Sequence, residues 1–403
     1  MNRARLVSAL VAAVMVVACD SSGGGGGATN SYAGKTIKLG ADLSVTGAGI
    51  LTGVQSRNGM QLAVDQINKA GGVLGAKIVL HVNDDASDPA QSAAAARTMI
   101  QQDQDLALLG PTLSSSAVMV HPVAESLKTP ILAVSTPGTH IVPDCLFPQT
   151  TPCRYVFRDS LGEQAAIPDN IQSYAADAHP STGVLFVTQD DRLSSDDGKI
   201  VQDTVGTYKI TLLKTIAFST TEAHLSSLVA QGVKLKPDVM FISSPGGIPA
   251  EIMVDARQQG WQGQFLGGSD FNTAVSAQAG TAGTGAQSAS AWYLGNSLPS
   301  NTEFVAAYTT AYKRPPDQFA AQGYAAIKIL ADSAKRAKLT FKDLAGDREK
   351  LRTAMETVNI QTPMGPFQFT SNHDVKQTVW ITRMDGQGGF TLVHQIATTL
   401  RFA

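Results

Sequence analysis

The sequence is poor in charge: acidic and basic residues together make up only 16% of its 403 residues. The 33 acids nearly balance the 31 bases, so we expect no basic surface for nucleic acid and no polybasic arm for anionic lipid. Three cysteines exclude a disulfide-framed mini-protein and a multi-cysteine zinc module. The seven histidines form no His-x-x-x-His pair, and we expect neither a metal nor a cofactor.

The start of the chain has the pattern of an export signal. Arg3 and Arg5 precede an apolar run over residues 6–18. This run is shorter than the roughly 20 residues that a membrane-spanning helix needs, and it is typical of a signal peptide. We therefore assign residues 1–18 to a signal peptide that is removed from the mature protein.

The residues at the expected cleavage point suggest a lipid anchor. The stretch Val16-Val17-Ala18-Cys19 resembles the lipobox of bacterial lipoproteins, with Val16 in place of the usual Leu. The resemblance implies lipidation of Cys19 and an extracytoplasmic protein held on the bacterial membrane. Residues 19–34, which include five consecutive glycines, then form a flexible Gly/Ser-rich tether. An ordinary secreted protein with an accidental cysteine is the alternative.

The rest of the chain alternates between short apolar runs and helical patterns. With 43% apolar residues it can bury large cores, and its length suits two or three domains. This alternation predicts an α/β protein with two doubly wound lobes. The expected strands cover residues 37–39, 78–82, 106–109, 131–134, 184–187, 210–216, 239–242 and 265–267, with a weaker tail at 367–369, 378–384 and 390–396. The expected helices cover residues 59–68, 90–101, 115–127, 163–176, 196–207, 224–233, 248–259, 303–312 and 318–337.

The two cysteines of the body lie close together in the sequence. Cys145 and Cys153 close a short loop before the apolar run at residues 155–157. In an exported protein such a pair is expected to form a disulfide. Two free thiols are the alternative.

A series of short motifs, in order and spacing, resembles the type I periplasmic binding proteins, which include the leucine/isoleucine/valine receptors of ABC importers. The resemblance covers about residues 35–398. It is carried by Thr46-Gly47, Gly53, residues 59–68, Gly71-Gly72-Val73, Gly75, residues 84–89, Gly110-Pro111, Ser114-Ser115-Ser116, residues 122–125, Pro130-Ile131, residues 134–139, Asp255-Ala256-Arg257, Gly260, residues 267–270 and residues 364–369.

The resemblance implies two lobes joined by three crossovers, which close on a small ligand and deliver it to a membrane permease. The first lobe would comprise residues 35–156 with about 291–363, and the second residues 157–290 with about 364–403. Ligands of open α/β sheets bind outside the carboxyl ends of the strands, here in the cleft between the lobes. We expect a monomer.

The resemblance also places ligand contacts on individual residues. Ser114 matches a serine that holds a ligand carboxylate, Thr139 a residue that offers its hydroxyl and amide, and Pro137 a backbone carbonyl. Asp270, or Ser269 on a strict match, falls where the family pairs a carboxylate with a ligand ammonium. The alternatives are structural: Ser114 and Asp270 could cap helices, and Pro137 could simply form a turn.

Three more positions would line the ligand's side chain. Thr52 and Leu113 match one wall of the pocket, and Leu193 stands where the family often has an aromatic ring. A second common aromatic, near Pro245, is missing as well. The pocket can therefore differ from a branched-chain amino acid site, and amides, polyamine-like ligands or aromatic carboxylates stay open beside Leu, Ile and Val.

Three functions compete at this point. The first is a lipid-anchored subunit of an ABC importer that captures an amino acid or related small molecule. The second is a ligand-sensing receptor of the same fold that controls a signalling partner. The third, a serine hydrolase built on Ser114, lacks the Gly-x-Ser-x-Gly elbow, and His121 is interpreted as a surface histidine. We therefore expect a binding protein and no enzyme.

Overall fold

The computed structural model describes residues 32–142, 144–146 and 152–397. The signal peptide, the lipidation site Cys19 and the tether up to residue 31 lie outside the described residues. The first part of the chain alternates strand and helix in the order β1 (Thr36–Leu43), α1 (Ile50–Lys69), β2 (Lys77–Asp84), α2 (Pro89–Gln101), β3 (Ala107–Leu109), α3 (Ser114–Ser126), β4 (Ile131–Ala133) and β5 (Val156–Arg158). These five strands form one parallel sheet in the order β2-β1-β3-β4-β5.

The middle of the chain repeats this alternation. It forms α4 (Glu163–Ala178), β6 (Thr182–Thr188), α5 (Arg192–Val205), β7 (Thr211–Phe218), α6 (Leu225–Lys234), β8 (Val239–Ser243), α7 (Ile248–Gln258), β9 (Gln264–Gly267), α8 (Thr273–Ala279) and β10 (Gln287–Ser290). All residues of β8 are buried, as expected for a strand covered by helices on both faces of a sheet.

The last part of the chain contributes to both halves of the molecule. It forms α9 (Pro299–Tyr312), α10 (Gln318–Arg336), α11 (Leu344–Met355), β11 (Asn359–Thr362), β12 (Gly365–Phe369), β13 (Val375–Lys376), β14 (Thr378–Met384) and β15 (Phe390–Ala397). The second large sheet has the order β15-β14-β10-β9-β8-β6-β7, with β14 antiparallel to both of its neighbours. A small antiparallel sheet joins β11, β12 and β13.

The chain crosses between the two large sheets three times: between β5 and α4, between β10 and α9, and between β13 and β14. Helices α9 to α11 pack with the first sheet, since Phe304, Leu330 and Leu351 share one core with Leu39 and Leu43. The predicted α/β architecture of two doubly wound lobes with three crossovers is thus confirmed.

Most predicted elements lie within a few residues of their expected places. Helix α2 is one example: Asp88 accepts hydrogen bonds from the amides of Ala90 (2.8 Å) and Gln91 (2.9 Å), and Pro89 occupies the first turn. Helix α1 is an exception, because it begins at Ile50 and the prediction began at residue 59. The elements β5, β10, β11, β13, α8 and α11 were not predicted.

The close contact between α1 and α10 explains the missed start of α1. A Cβ atom on Gly59 would lie 2.0 Å from the Ala320 carbonyl oxygen, and one on Gly323 would lie 2.2 Å from the Ser56 carbonyl oxygen. The two helices therefore approach each other through glycine and serine. The buried face of α1 near its start is small and polar, so it lacks the apolar periodicity that marks a helix in the sequence.

The predicted disulfide is present between Cys145 and Cys153, whose Cα atoms are 6.0 Å apart. Both cysteines are buried and belong to a core cluster with α2, α3 and β4. Among the helices of the described residues, none combines the length and the apolar character that crossing a membrane requires.

Candidate functional site

The loops that follow β3 and β4 lie side by side at the carboxyl edge of the first sheet. Ser114 is the first residue of α3, and its hydroxyl accepts a hydrogen bond of 3.1 Å from the amide of Gly138. The helix cap is Leu113, without a side-chain hydrogen bond, so the interpretation of Ser114 as a capping residue is wrong. Ser114 instead joins the two loops that were predicted to hold the ligand.

The other two residues expected to contact the ligand in these loops have partners within the protein. The Thr139 hydroxyl donates a hydrogen bond of 2.6 Å to Asp196 on α5, a helix of the second sheet. The Pro137 carbonyl accepts from the amide of Glu163 at 2.9 Å and from Arg158 Nη1 at 3.4 Å. The loop after β4 is thus fastened to the second half of the molecule.

The residues predicted to line the side-chain wall are half-buried. A Cβ atom on Gly138 would lie 3.6 Å from Leu193 Cδ1, so Leu193 lies beside the Ser114–Gly138 contact. Leu113 Cδ2 would be 3.2 Å from a Cβ atom on Gly49, at the start of α1. Thr52 lies in the first turn of α1. Ser114, Pro137, Thr139 and Leu193 therefore come together, with Leu113 directed towards the α1 end of the cleft.

Asp270 lies in the loop after β9, at the carboxyl edge of the second sheet. Asn272 caps α8, accepting hydrogen bonds from the amides of Ala274 (2.9 Å) and Val275 (3.1 Å). The interpretation of Asp270 as the cap is therefore wrong. Its carboxylate is left without a hydrogen-bond partner in the part of the chain that the structure describes. Burial raises the pKa of Asp270 well above its usual range, and the charges of Glu163 and Asp191 raise it further.

Two more acids lie near Asp270, and the sequence analysis assigned no binding role to either. Glu163, the first residue of α4, is fully buried; its Oε1 accepts from the Ser269 amide at 2.8 Å. Burial raises the pKa of Glu163, although the contacts with Ser269 and the charge of Arg158 oppose the change. Asp197 on α5 is 3% exposed, and burial, followed by the charges of Glu163 and Asp270, raises its pKa well above the usual range.

One oxygen on each of these two acids is unsatisfied. Among the described residues, Glu163 Oε2 and Asp197 Oδ1 are buried and have no hydrogen-bond partner. Glu163 Oε2 lies against Gly268, where a Cβ atom would be 2.7 Å away. Buried carboxylates without partners are costly, so a group that donates hydrogen bonds to them would be held strongly.

The nearby arginine already has partners of its own. Arg158 is fully buried, and its guanidinium donates to both carboxylate oxygens of Asp374, with Nε 2.9 Å from Oδ1. Its Nη1 also donates to the Gly138 carbonyl at 2.9 Å. Arg158 thus holds the loop after β4 in place, and its charge is directed mainly at Asp374.

A small gap adjoins Glu163, and a larger cavity adjoins that gap. A gap of about 20 Å³ is lined by Ser135, Pro137, Glu163 and Ser269 among others, and has room for about one water molecule. A larger cavity of about 190 Å³ shares Gln318 and Phe319 with the gap. Five of the residues that line it are aromatic: Phe271, Trp292, Tyr293, Phe319 and Phe390.

His121 is fully buried, so its interpretation as a surface residue is wrong. Burial lowers the pKa of His121 to about 3, helped by the charge of Arg158 and opposed by the Gly110 backbone. The packing of α3 buries the neutral His121 side chain, and this packing is enough to explain its position. The relevant signal in the sequence is its place on the same helix face as Ala117 and Ala124, which are also fully buried.

The acids near Asp270 gave weaker signals. Glu163 follows Gly162 at the start of a predicted helix, where an acid is favoured by the helix dipole alone. Arg158 ends an apolar run, and a charge in that position indicates a buried ion pair. Asp197 stands in a polar segment, and it is buried only because α5 packs against α4, β6 and β8, beside the loop after β9.

Two α/β lobes with largely parallel sheets, three crossings and a cleft at the strand ends define the type I periplasmic binding protein fold. Residues 36–389 match the family described as periplasmic binding protein, and the chain belongs to this family. Membership implies a protein that acts outside the cytoplasm.

Individual relatives cover most of the chain. A leucine-, isoleucine-, valine-, threonine- and alanine-binding protein of Pseudomonas aeruginosa is 25% identical over 359 residues, which are 87% of this chain and 90% of that protein. A leucine-binding protein of Thermotoga maritima has a TM-score of 0.79 at 21% identity, covering 89% of this chain and 98% of its own. The solute-binding protein of an ABC transporter from R. palustris, in complex with benzoate, has a TM-score of 0.77 at 22% identity, covering 90% and 98%.

Proposed function

We propose that this chain is the lipid-anchored, extracytoplasmic solute-binding subunit of an ABC importer. It captures an amino acid or a related small molecule in the cleft between its two lobes. The lobes in this proposal are residues 35–156 with about 291–363, and residues 157–290 with about 364–403, except that the crossing between β13 and β14 keeps residues 365–376 with the first lobe. Family membership supports solute binding. The described ligands of the relatives, which include amino acids and benzoate, support a small organic molecule.

The observation that carries the proposal is the hydrogen bond between Thr139 and Asp196, because it joins a loop of the first sheet to a helix of the second. A ligand that contacts both lobes favours the arrangement in which they lie together, and its binding energy then drives closure. The proposed contacts are Ser114, Pro137 and Thr139 from one lobe and Leu193 and Asp270 from the other. Thr52 and Leu113 form the proposed side wall.

The binding part of the proposal is tested by thermal unfolding of the purified full-length protein with amino acids, amides, amines and aromatic acids. A ligand at about 100 times its dissociation constant stabilises the folded state by about 2.7 kcal/mol, which raises the melting temperature by a few degrees. We expect at least one compound class to do so. If no compound stabilises the protein and denaturation releases no bound ligand, the binding proposal fails.

The anchor and the importer role need separate tests. We expect a Cys19→Ser variant to leave the membrane fraction, while the unchanged protein stays in it. We also expect deletion of the gene to abolish uptake of the stabilising ligand. A Cys19→Ser variant that stays membrane-bound contradicts the anchor, and unchanged uptake contradicts the importer role in favour of sensing.

A further inference from the structure

A histidine and two acids meet beside the first sheet, on residues that the proposed function does not use. His81 lies near the middle of the edge strand β2, and Asp103 and Asp105 lie in the loop between α2 and β3. One donor atom of each of the three side chains lies within 4.8 Å of the other two. Asp105 precedes β3, whereas the loops proposed to hold the ligand follow β3 and β4, so the group is separate from the cleft.

The carboxylate of Asp105 is only half satisfied. Its side chain is fully buried, and its Oδ1 lies 2.8 Å from His81 Nδ1. Its Oδ2 is buried and has no hydrogen-bond partner among the described residues. A Cβ atom on Gly40 would lie 2.7 Å from Oδ2, and Gly40 is paired with His81 across β1 and β2. The unpartnered oxygen is thus directed towards the strand pair that carries the histidine, where a cation would satisfy it.

The two basic side chains near this group donate hydrogen bonds to backbone oxygens. Arg348 on α11 donates to the carbonyl oxygen of Asp105 from Nε (3.1 Å) and from Nη2 (2.6 Å). The exposed Lys38 donates from Nζ to the carbonyl oxygen of Asp103 at 3.1 Å. These bonds fix the loop and leave Asp105 Oδ2 unsatisfied. The acids are therefore held beside β2 in advance, which lowers the cost of binding an ion there.

We propose that His81, Asp103 and Asp105 bind Zn²⁺ or a closely similar divalent metal ion, with water completing the coordination. Imidazole nitrogen and carboxylate oxygen are suitable ligands for zinc, and a site with three protein ligands leaves one position to water. Neighbouring donors of a tetrahedral zinc site are about 3.3 Å apart, so His81 Nδ1 moves from Asp105 by about half an ångström. The side chain of His81 is 37% exposed, which permits this movement. The Nδ1 proton is carried on Nε2 instead.

The ion joins two segments of the first lobe that are distant in the sequence. His81 and Asp105 are 24 positions apart, so no short motif marks the site, and the sequence analysis expected no metal. The bound ion ties the edge strand β2 to the loop that leads into β3. Because the donors are brought together only in the folded chain, the ion stabilises the folded state.

The test is a calorimetric titration of the purified full-length protein, without a histidine tag, with zinc chloride at about pH 7.5. We expect one Zn²⁺ ion to bind per chain and to raise the melting temperature. Ca²⁺, which prefers oxygen ligands, should bind more weakly. Absence of Zn²⁺ binding, or tighter binding of Ca²⁺, overturns the inference. Neither result affects the proposed function, because the titration contains no organic solute.

Substitutions identify the donors. We expect His81→Asn and Asp103→Asn each to weaken Zn²⁺ binding about tenfold or more, and the melting temperatures without metal show whether both variants fold. His394→Asn is the matched control and should bind as the unchanged protein does. His394 Nε2 also lies 3.1 Å from an acid, Asp177, but this pair belongs to no group of three donor side chains among the described residues. Unchanged affinity in His81→Asn, or an equal loss in His394→Asn, contradicts the site.

Lys38 provides a test in the opposite direction. Its ammonium lies near the group, since it donates to the Asp103 carbonyl oxygen and its charge acts on Asp105. Lys38→Gln removes a competing positive charge from an exposed position, and we expect it to tighten Zn²⁺ binding about twofold or more. Unchanged or weaker binding in Lys38→Gln would contradict the placement of the ion.

Discussion

The hydroxyl of Thr139 donates a hydrogen bond of 2.6 Å to the carboxylate of Asp196, and this bond links a loop of the first sheet to α5 on the second. Since the two groups belong to different lobes, separation of the lobes breaks the bond. The same Asp196 oxygen is also 3.7 Å from Arg192 Nε on its own helix. The pair is a direct measure of whether the cleft is closed.

We expect Thr139→Val to shift the protein towards an open arrangement, because valine keeps the shape of threonine and cannot donate. The loss of one half-buried hydrogen bond to a charged group should cost about 1–2 kcal/mol in the closed form. Small-angle scattering of the ligand-free protein should show a larger radius of gyration than for the control Thr302→Val, an exposed threonine of α9. Identical scattering of both variants and the unchanged protein would contradict the role of the bond.

Gly59 should not tolerate a side chain. A Cβ atom there would lie 2.0 Å from the Ala320 carbonyl oxygen, and backbone atoms of α10 cannot turn away as a flexible side chain would. We expect Gly59→Ala to lower the free energy of unfolding by about 1–3 kcal/mol or more, measured by urea denaturation. Gly206→Ala is the control, because a Cβ atom at Gly206 meets nothing within 4 Å. A Gly59→Ala variant as stable as Gly206→Ala would show that the two helices pack less closely.

His121 should make the fold sensitive to acid. Burial lowers its pKa to about 3, whereas an imidazole in the unfolded chain titrates near its usual value of about 6.5. Between these two values the unfolded chain binds the proton and the folded chain does not. His121 therefore lowers the free energy of unfolding by about 1.4 kcal/mol for each pH unit below about 6.5.

We expect His121→Gln to remove this component of the acid sensitivity, although the variant also changes the packing at every pH. The measured quantity is the difference in unfolding free energy between variant and unchanged protein at pH 7 and pH 5. His224→Gln, on the exposed surface before α6, is the control and should show the same difference at both values. A pH-independent difference for His121→Gln would mean that the imidazole is protonated in the folded protein.

Asp42 should have the opposite effect to His121, because it destabilises the fold as the pH rises. Burial raises its pKa to about 7, even though Ser92 and Asn83 donate hydrogen bonds to its carboxylate. Because this pKa lies above the value in the unfolded chain, the folded protein holds the extra proton. The contribution of Asp42 to the free energy of unfolding therefore falls as the pH rises from about 4 to about 7.

We expect the free energy of unfolding of Asp42→Asn to rise relative to that of the unchanged protein by about 1–3 kcal/mol as the pH goes from 5 to 8, measured by chemical denaturation. Asp65→Asn, on the exposed side of α1, should give no such gain. If the stability difference between Asp42→Asn and the unchanged protein does not grow with pH, the carboxyl is already ionised at pH 5.

The sequence predicted those helices and strands whose own side chains form an apolar run or a local start signal. Strand β8 was found because Val239 to Ile242 are all apolar and all buried, and α2 because Asp88 and Pro89 form a local start signal. The first turns of α1 were missed because their buried face is adapted to α10, which is distant in the sequence. Strand β5 was missed because its short apolar run ends in the charged Arg158, whereas β3 and β4, of the same length, are apolar throughout.

The site was predictable only in part. Ser114 and Thr139 could be located by motif, and the structure places them in neighbouring loops, although their contacts with a ligand remain a prediction. Glu163 and Asp197 could not be found in this way, because an acid in a helix is usually exposed. Their burial is caused by the packing of α4, α5 and the loop after β9, and no local pattern records that packing.

The three crossings have a consequence for the order in which the molecule can be completed. The hydroxyl of Tyr324 on α10 reaches Gln66 on α1 across 258 positions of the chain. As the chain emerges from the ribosome, the first sheet is made early, yet the face that α10 covers stays open until most of the protein has been synthesised. Contacts of such long range slow folding. The first lobe is therefore begun first but covered only after most of the second sheet has been made, and a chain cut before α10 would expose an uncovered sheet instead of leaving a smaller intact domain.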